Sequence, residues 1–171
     1  MSLDELPDPE IMWAGKYLRA VRRAHWEYVS RTNNIRAVVI LAEHEGRIIL
    51  VEQPRVPIGE RCLELPAGLV GDIDADATVE GTAIKELEEE TGFTATHVER
   101  LGEFFSSPGI LAEGFTLVRA HGLRKIGEGG GDENEEIVVH LVPRDAVPNF
   151  IEEKRAEGVG IDVKLLIFAD Y

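Results

Sequence analysis

The sequence predicts an α+β fold in which mixed strands surround one central helix, with further helices at the end of the chain. Three features point to it. Short apolar, β-rich runs bounded by turn residues recur between Tyr17 and Val142. Residues 78–91 show helical spacing instead, with Ala83, Ile84 and Leu87 able to face a core and Gly92 placed to stop the helix. The last strand-like run gives way to two helical stretches. At 171 residues and 44% hydrophobic, the chain is long enough for one globular unit with its own core, and it carries no internal repeat.

Taken in order, residues before Gly15 are acidic and proline-containing, with only Ile11 and Trp13 as strong anchors, which predicts a loosely held arm. Residues 17–22 and 25–29 alternate in part and carry aromatic rings, as two strands do. Arg19, Arg22, Arg23 and Arg31 make this the basic part of the chain and suit an exposed ribbon protected by charge. Residues 35–42 and 47–53 flank a Glu-His-Glu-Gly turn and predict a hairpin. A short strand follows at 61–66, and further strands at 98–105 and 115–122 are separated by the turn signal Ser107-Pro108-Gly109. The Gly-rich acidic stretch 127–136 reads either as a flexible linker or as a loop held near the sheet by the strand predicted at 137–142. Pro148 restarts a surface helix within 144–157. Glycines at 158 and 160 break it, and Asp162 caps a short last helix.

A formal charge of −14 repels nucleic-acid backbones and anionic membranes, so an anionic substrate would need cations as intermediaries. The apolar runs 37–42 and 164–169 are too short to span a bilayer, and the polar N-terminus does not read as a signal peptide. Cys62 is the only cysteine, which rules out an internal disulfide and a cysteine-based zinc site; it reads as a buried small hydrophobe in a cytoplasmic protein.

Within the helix at 78–91, Glu86, Glu89 and Glu90 stand at i, i+3 and i+4 and share a face. Their mutual repulsion costs an isolated helix roughly a few tenths of a kcal/mol per pair. Such a face is either a solvated acidic surface or the seat of a hard divalent cation such as Mg2+.

Leu65-Pro66-Ala67-Gly68, an acidic loop, and then Lys85-Glu86-Leu87 with Glu89, Glu90, Gly92 and Phe93 resemble the Nudix hydrolase signature, G-x5-E-x7-R-E-U-x-E-E-x-G-U. The resemblance implies a Nudix fold, a mixed sheet sandwiched by helices with a catalytic loop-helix-loop. It makes Glu86, Glu90 and the Ala67 carbonyl metal ligands for Mg2+, with Mn2+ as a substitute, and Glu89 a further ligand or electrostatic helper. Two positions depart from the pattern: Lys85 stands for its arginine and Ala77 for its first glutamate, and the loop after Gly68 is longer. In the family that pair mainly holds the loop on the helix, so Asp74 or Asp76 is expected to substitute.

Gln53-Pro54-Arg55 resembles the Q-x-R segment of ADP-ribose and nucleoside-diphosphate-sugar pyrophosphatases, which gives Arg55 the substrate phosphate. Ser107, Pro108 and Glu113 resemble that subgroup's markers, and Ala67 and Leu69 complete the implied substrate contacts. The run Asp132-Glu133-Asn134-Glu135 resembles the loop that brings in a general base and a metal ligand, with Glu133 first for the base and Glu135 close behind. The subgroup pairs as homodimers through N-terminal antiparallel strands, so residues 1–34 are assigned to an arm and dimerisation strands and 35–171 to the catalytic domain. Tyr17 and Trp26 fall where adenine is sandwiched across the dimer, and both equally suit a dimer core. The implied activity is Mg2+-dependent cleavage of ADP-ribose to AMP and ribose 5-phosphate. A pyrophosphatase for another nucleoside-diphosphate sugar such as GDP-mannose, and a nucleotide sensor with little hydrolysis, are the competing readings.

Overall fold

A strand that is apolar on both faces needs a packed layer on each side, and residues 36–44 meet that description. The computed structural model describes residues 2–33, 35–71, 76–131 and 135–168, and its layers follow from this strand. First in the chain, β1 (Glu10–Ala14), β2 (Leu18–Arg23) and β3 (Trp26–Arg31) form a separate antiparallel sheet in that order. The segment before Gly15 is therefore not simply a loose arm: its second half is a strand, paired through Glu10, Ile11, Trp13 and Ala14.

Next, β4 (Arg36–His44) and β5 (Arg47–Arg55) are joined through Glu45 and Gly46, at φ 50° and 72°. Two such residues make the type I′ turn that suits a twisted hairpin. The strands pair only at Glu43–Ile48 and His44–Arg47 before diverging. From there β4 belongs to one half of an eight-stranded sheet and β5 to the other. β6 (Glu60–Glu64) pairs with β5, while β7 (Ala67–Val70), expected to be loop, pairs with β4.

The central helix α1 (Val79–Thr91) begins where the Thr78 hydroxyl accepts the Gly81 N–H and ends at left-handed Gly92, φ 73°. Short β8 (Phe93–Thr94) leads to β9 (His97–Phe105), which turns back into β10 (Gly114–His121). β10 lies antiparallel to β9 and parallel to β4. β11 (Arg124–Lys125) pairs with β8, and β12 (Val138–Pro143) runs antiparallel to β5. A 3-10 turn, Arg144–Ala146, gives way to α2 (Val147–Ala156), with Pro148 in its first turn. β13 (Gly160–Ile161), not expected from the sequence, pairs with β6, and the last helix after Asp162 is a 3-10 helix over Val163–Phe168. The Asp162 side chain accepts the Lys164 N–H at 2.7 Å, as a cap does.

Alternate residues of β4 enter two cores. Val38, Ile40 and Ala42 pack with Ala83 and Leu87 of α1 and with Phe93 and Val118. Val39 and Leu41 pack with Leu50, Leu63, Ile151 of α2 and Leu165 of the terminal 3-10 helix. The mixed sheet is thus sandwiched by helices, α1 on one side and α2 with the terminal 3-10 helix on the other. No helix among the described residues is long and apolar enough to cross a membrane. Cys62 is buried, and burial, with Glu64 and Asp162 adding to it, pushes its thiol up to about 12.

The N-terminal sheet meets this body along the strip 110–113. The Val29 N–H donates to the Ile110 carbonyl at 2.8 Å, the Ala112 N–H donates to the Val29 carbonyl at 2.9 Å, and the Arg31 guanidinium pairs with Glu113.

Candidate active site

Helix α1 lies against β7, and this contact builds one wall of the site. Gly68 leaves room there for the carboxyl group of Glu86, which a Cβ would overlap. One turn on, Glu90 is buried, and its Oε2 accepts the Ala67 N–H at 3.1 Å. The Pro66 carbonyl accepts the Ile40 N–H, so by the alternation of an antiparallel ladder the N–H and C=O of Ala67 project away from β4. Burial pushes the Glu90 carboxyl up to about 8; the Ala67 N–H opposes this, and the charges of Glu86 and Glu135 add to it. Burial likewise raises Glu86, with Glu89 and Glu135 adding to it against Lys85.

A cleft of about 990 Å3 opens over this wall. Glu86, Glu89, Ala67 and Leu69 line it, together with Glu135 from the acidic loop. Arg55, Arg31 and Lys164 also line it, and each is held by a carboxylate. Arg55 makes a two-pronged pair with buried Glu64, Nε and Nη2 at 2.6 and 2.8 Å, which holds the guanidinium above its ordinary range. Arg31 pairs with Glu113, and Lys164 with Asp162 at 2.6 Å. The cleft therefore joins an acidic patch to cations already ordered by partners.

Glycines bolt the acidic loop to the end of α1. The Gly130 and Gly131 N–H groups donate to the Glu90 and Glu89 carbonyls at 2.9 and 3.0 Å. Gly129 (φ 73°) lies so close to α1 that a Cβ there would overlap the backbone of Thr91. These glycines permit close approach to the helix, which places Glu135 at the cleft. Glu133 lies outside the described residues, as does Asp74.

Most of the residues singled out from the sequence come together here. Arg55, Ala67, Leu69, Glu86, Glu89, Glu113 and Glu135 line one cleft, with Glu90 buried beneath it. Ser107 and Pro108 do not line it. The Ser107 carbonyl accepts the Ile110 and Leu111 N–H groups, so this turn shapes the strip that pairs with β3. Tyr17, just before β2, and Trp26 of β3 are exposed and do not line the cleft. Lys85 pairs with Glu89 at 3.2 Å, and Asp76 is exposed. Sequence reasoning missed Glu64, Lys164 and the role of Arg31. Glu64 could have been found, since a lone acid inside the apolar run 62–65 needs a cationic partner.

Among the described residues, no group of three or more His, Cys, Asp or Glu side chains stands ready-made around one point. The donor chemistry nevertheless suits a hard divalent cation. Glu86 and Glu90 sit one helical turn apart, Glu135 is close enough to disfavour ionisation of both, and the Ala67 carbonyl projects away from β4 on the same side as the N–H that meets Glu90. These groups would hold it.

A family model described as the NUDIX domain matches residues 32–159. The chain is 37% identical over 134 residues to the methanol dehydrogenase activator of Bacillus methanolicus, covering 78% of this chain and 69% of that one. It is 35% identical over 120 residues to the ADP-ribose pyrophosphatase of Bacillus subtilis, covering 69% and 63%. A crystal structure of an ADP compounds hydrolase has a similar fold, with a TM-score of 0.71 at 22% identity over 95% of this chain and 90% of that one. The chain belongs to the Nudix hydrolase family.

Proposed function

We propose that this Nudix pyrophosphatase hydrolyses the pyrophosphate bond of ADP-ribose to AMP and ribose 5-phosphate, with Mg2+ as its metal and Mn2+ as a substitute. The observation that carries this reading is the single cleft shared by Glu86, Glu89, Glu135 and Arg55 over buried Glu90. Similarity to the Bacillus subtilis pyrophosphatase supports the choice of substrate.

Glu86, Glu90, Glu135 and the Ala67 carbonyl hold the metal, which supplies positive charge against the two charges of the diphosphate. Glu64 engages two N–H groups of Arg55, and the guanidinium keeps further donors for a phosphate. Glu133 or Glu135 takes a proton as the water oxygen attacks phosphorus, and the bridging P–O bond breaks with its electron pair on the leaving phosphate. Removing that base costs roughly 10²- to 10⁴-fold in rate. Glu89, paired with Lys85, adds negative charge beside the ligands. Glu113, paired with Arg31 at the cleft, is assigned to substrate binding. The working form is a homodimer joined by the N-terminal sheets, in which Tyr17 and Trp26 stack on adenine.

Phosphatase-coupled release of phosphate distinguishes the possibilities, because AMP and ribose 5-phosphate are phosphatase substrates and the intact diphosphate is not. ADP-ribose, GDP-mannose and other nucleotide sugars are compared with and without Mg2+ in wild type and Glu90→Gln. Mg2+-dependent cleavage of ADP-ribose, lost by about 100-fold or more in Glu90→Gln, is expected. Preference for another sugar nucleotide would overturn the substrate but leave the metal site. Binding without turnover on every compound would make the protein a sensor.

A further inference from the structure

Outside the cleft, one buried carboxylate gathers three basic side chains. Glu52 of β5 accepts from Arg61 Nε at 2.7 Å, contacts His140 Nε2 at 3.0 Å and pairs with Lys154 Nζ at 3.2 Å. The cleft does not use this cluster. Arg61 does more than neutralise Glu52. Its Nη2 donates to the Glu52 carbonyl at 2.8 Å and to the Glu136 carbonyl at 3.0 Å, and its Nη1 lies 3.9 Å from the Glu136 carboxylate.

Glu136 directly follows Glu135, whose side chain lines the cleft. At its other end the same loop is fixed by the bonds from Gly130 and Gly131 to the last turn of α1. Residues 130–131 and residue 136 are thus held by two anchors, the helix that carries Glu86 and Glu90 and the guanidinium of Arg61. A short segment tied at both ends restricts the space its side chains explore, and catalytic groups depend on that restriction. Arginine suits the task because its rigid fork reaches a carboxylate and two carbonyls at once, which a lysine ammonium on a flexible stem does not.

We propose that Arg61, seated by buried Glu52, is a positioning residue that holds the acidic loop so that Glu135 stands in the cleft. The proposal rests on Glu135 acting as metal ligand or base. It predicts that Arg61→Met lowers kcat by roughly 10- to 100-fold while KM for ADP-ribose stays within about twofold.

The test combines steady-state kinetics with amide hydrogen exchange over residues 127–137 in wild type, Arg61→Met, Glu135→Gln, the double variant and Lys154→Met. Exchange at 131–137 is expected to quicken in Arg61→Met without change in α1. The double variant should be no slower than Glu135→Gln alone, because both changes disable one unit. Lys154→Met, which touches Glu52 but not the loop, should keep wild-type kcat. Unchanged loop exchange in Arg61→Met, losses that multiply in the double variant, a fully active Glu135→Gln, or an equal loss in Lys154→Met would each overturn the proposal. If the wild type cleaves none of the diphosphates, the proposed activity falls, and exchange alone then decides for or against the clamp.

Discussion

At Gly68 the place that a side chain would occupy is taken by the carboxyl group of Glu86. Gly68→Ala is therefore expected to displace Glu86 with little effect on the fold. Activity should fall roughly 10- to 100-fold and the half-saturating Mg2+ concentration should rise, because the change reaches a ligand and not the substrate. Mg2+ titration of turnover beside circular dichroism checks this, and an unchanged Mg2+ requirement would count against Glu86 as a ligand. Residues of this kind were legible in the sequence to the extent that their partners are near in the chain. Glu86 and Glu90 stand one helical turn apart, so spacing alone put them together. Arg31 and Glu113 are 82 residues apart, and nothing local announces their pairing. The resemblance assigns Arg55 to a phosphate, and the run 62–65 shows only that Glu64 needs a cation; that each is the other's partner becomes visible once β5 and β6 pair.

Helix α1 was legible almost to the residue because its signals are local, the apolar face through Ala83 and Leu87 and the stop at Gly92; its first residue, Thr78, proves to be the cap. Elements that depend on a distant partner were not. The first strand exists because β2 pairs with it, and β13 exists because β6 offers an open edge. The same dependence explains the glycine-rich loop, whose composition alone suggests a flexible linker. Gly129 meets the backbone of Thr91 instead, at a φ that side chains rarely adopt. Gly129→Ala should therefore both strain the loop and push it off the helix end. A stability loss of about 2 kcal/mol is expected, read by denaturant unfolding, together with reduced turnover as Glu135 is displaced. If glycine served only loop flexibility here, the variant would keep wild-type stability.

On the scale of the whole molecule, the N-terminal sheet is the part that a single chain leaves unfinished. Among its large apolar residues Val21 is buried, at 4% exposure, whereas Ile11, Met12, Trp13, Leu18 and Trp26 are exposed. A three-stranded sheet with so little core is marginal by itself, and large apolar side chains left exposed on such a sheet suit an interface. Two chains of formal charge −14 repel each other, so association must come from apolar burial, with Arg19, Arg22, Arg23 and Arg31 lowering the repulsion by making this sheet a less acidic approach. Two outcomes follow for light scattering coupled to size exclusion. The protein should run at twice the mass of one chain, and raising the salt should strengthen the dimer, because screening weakens the long-range repulsion more than the buried contact. Trp13→Asp should give a folded monomer. Since β3 is tied to the strip that carries Glu113 at the cleft, that monomer should also lose kcat/KM for ADP-ribose. A monomer that kept full activity would separate the sheet from catalysis and leave its exposed aromatic residues to another partner.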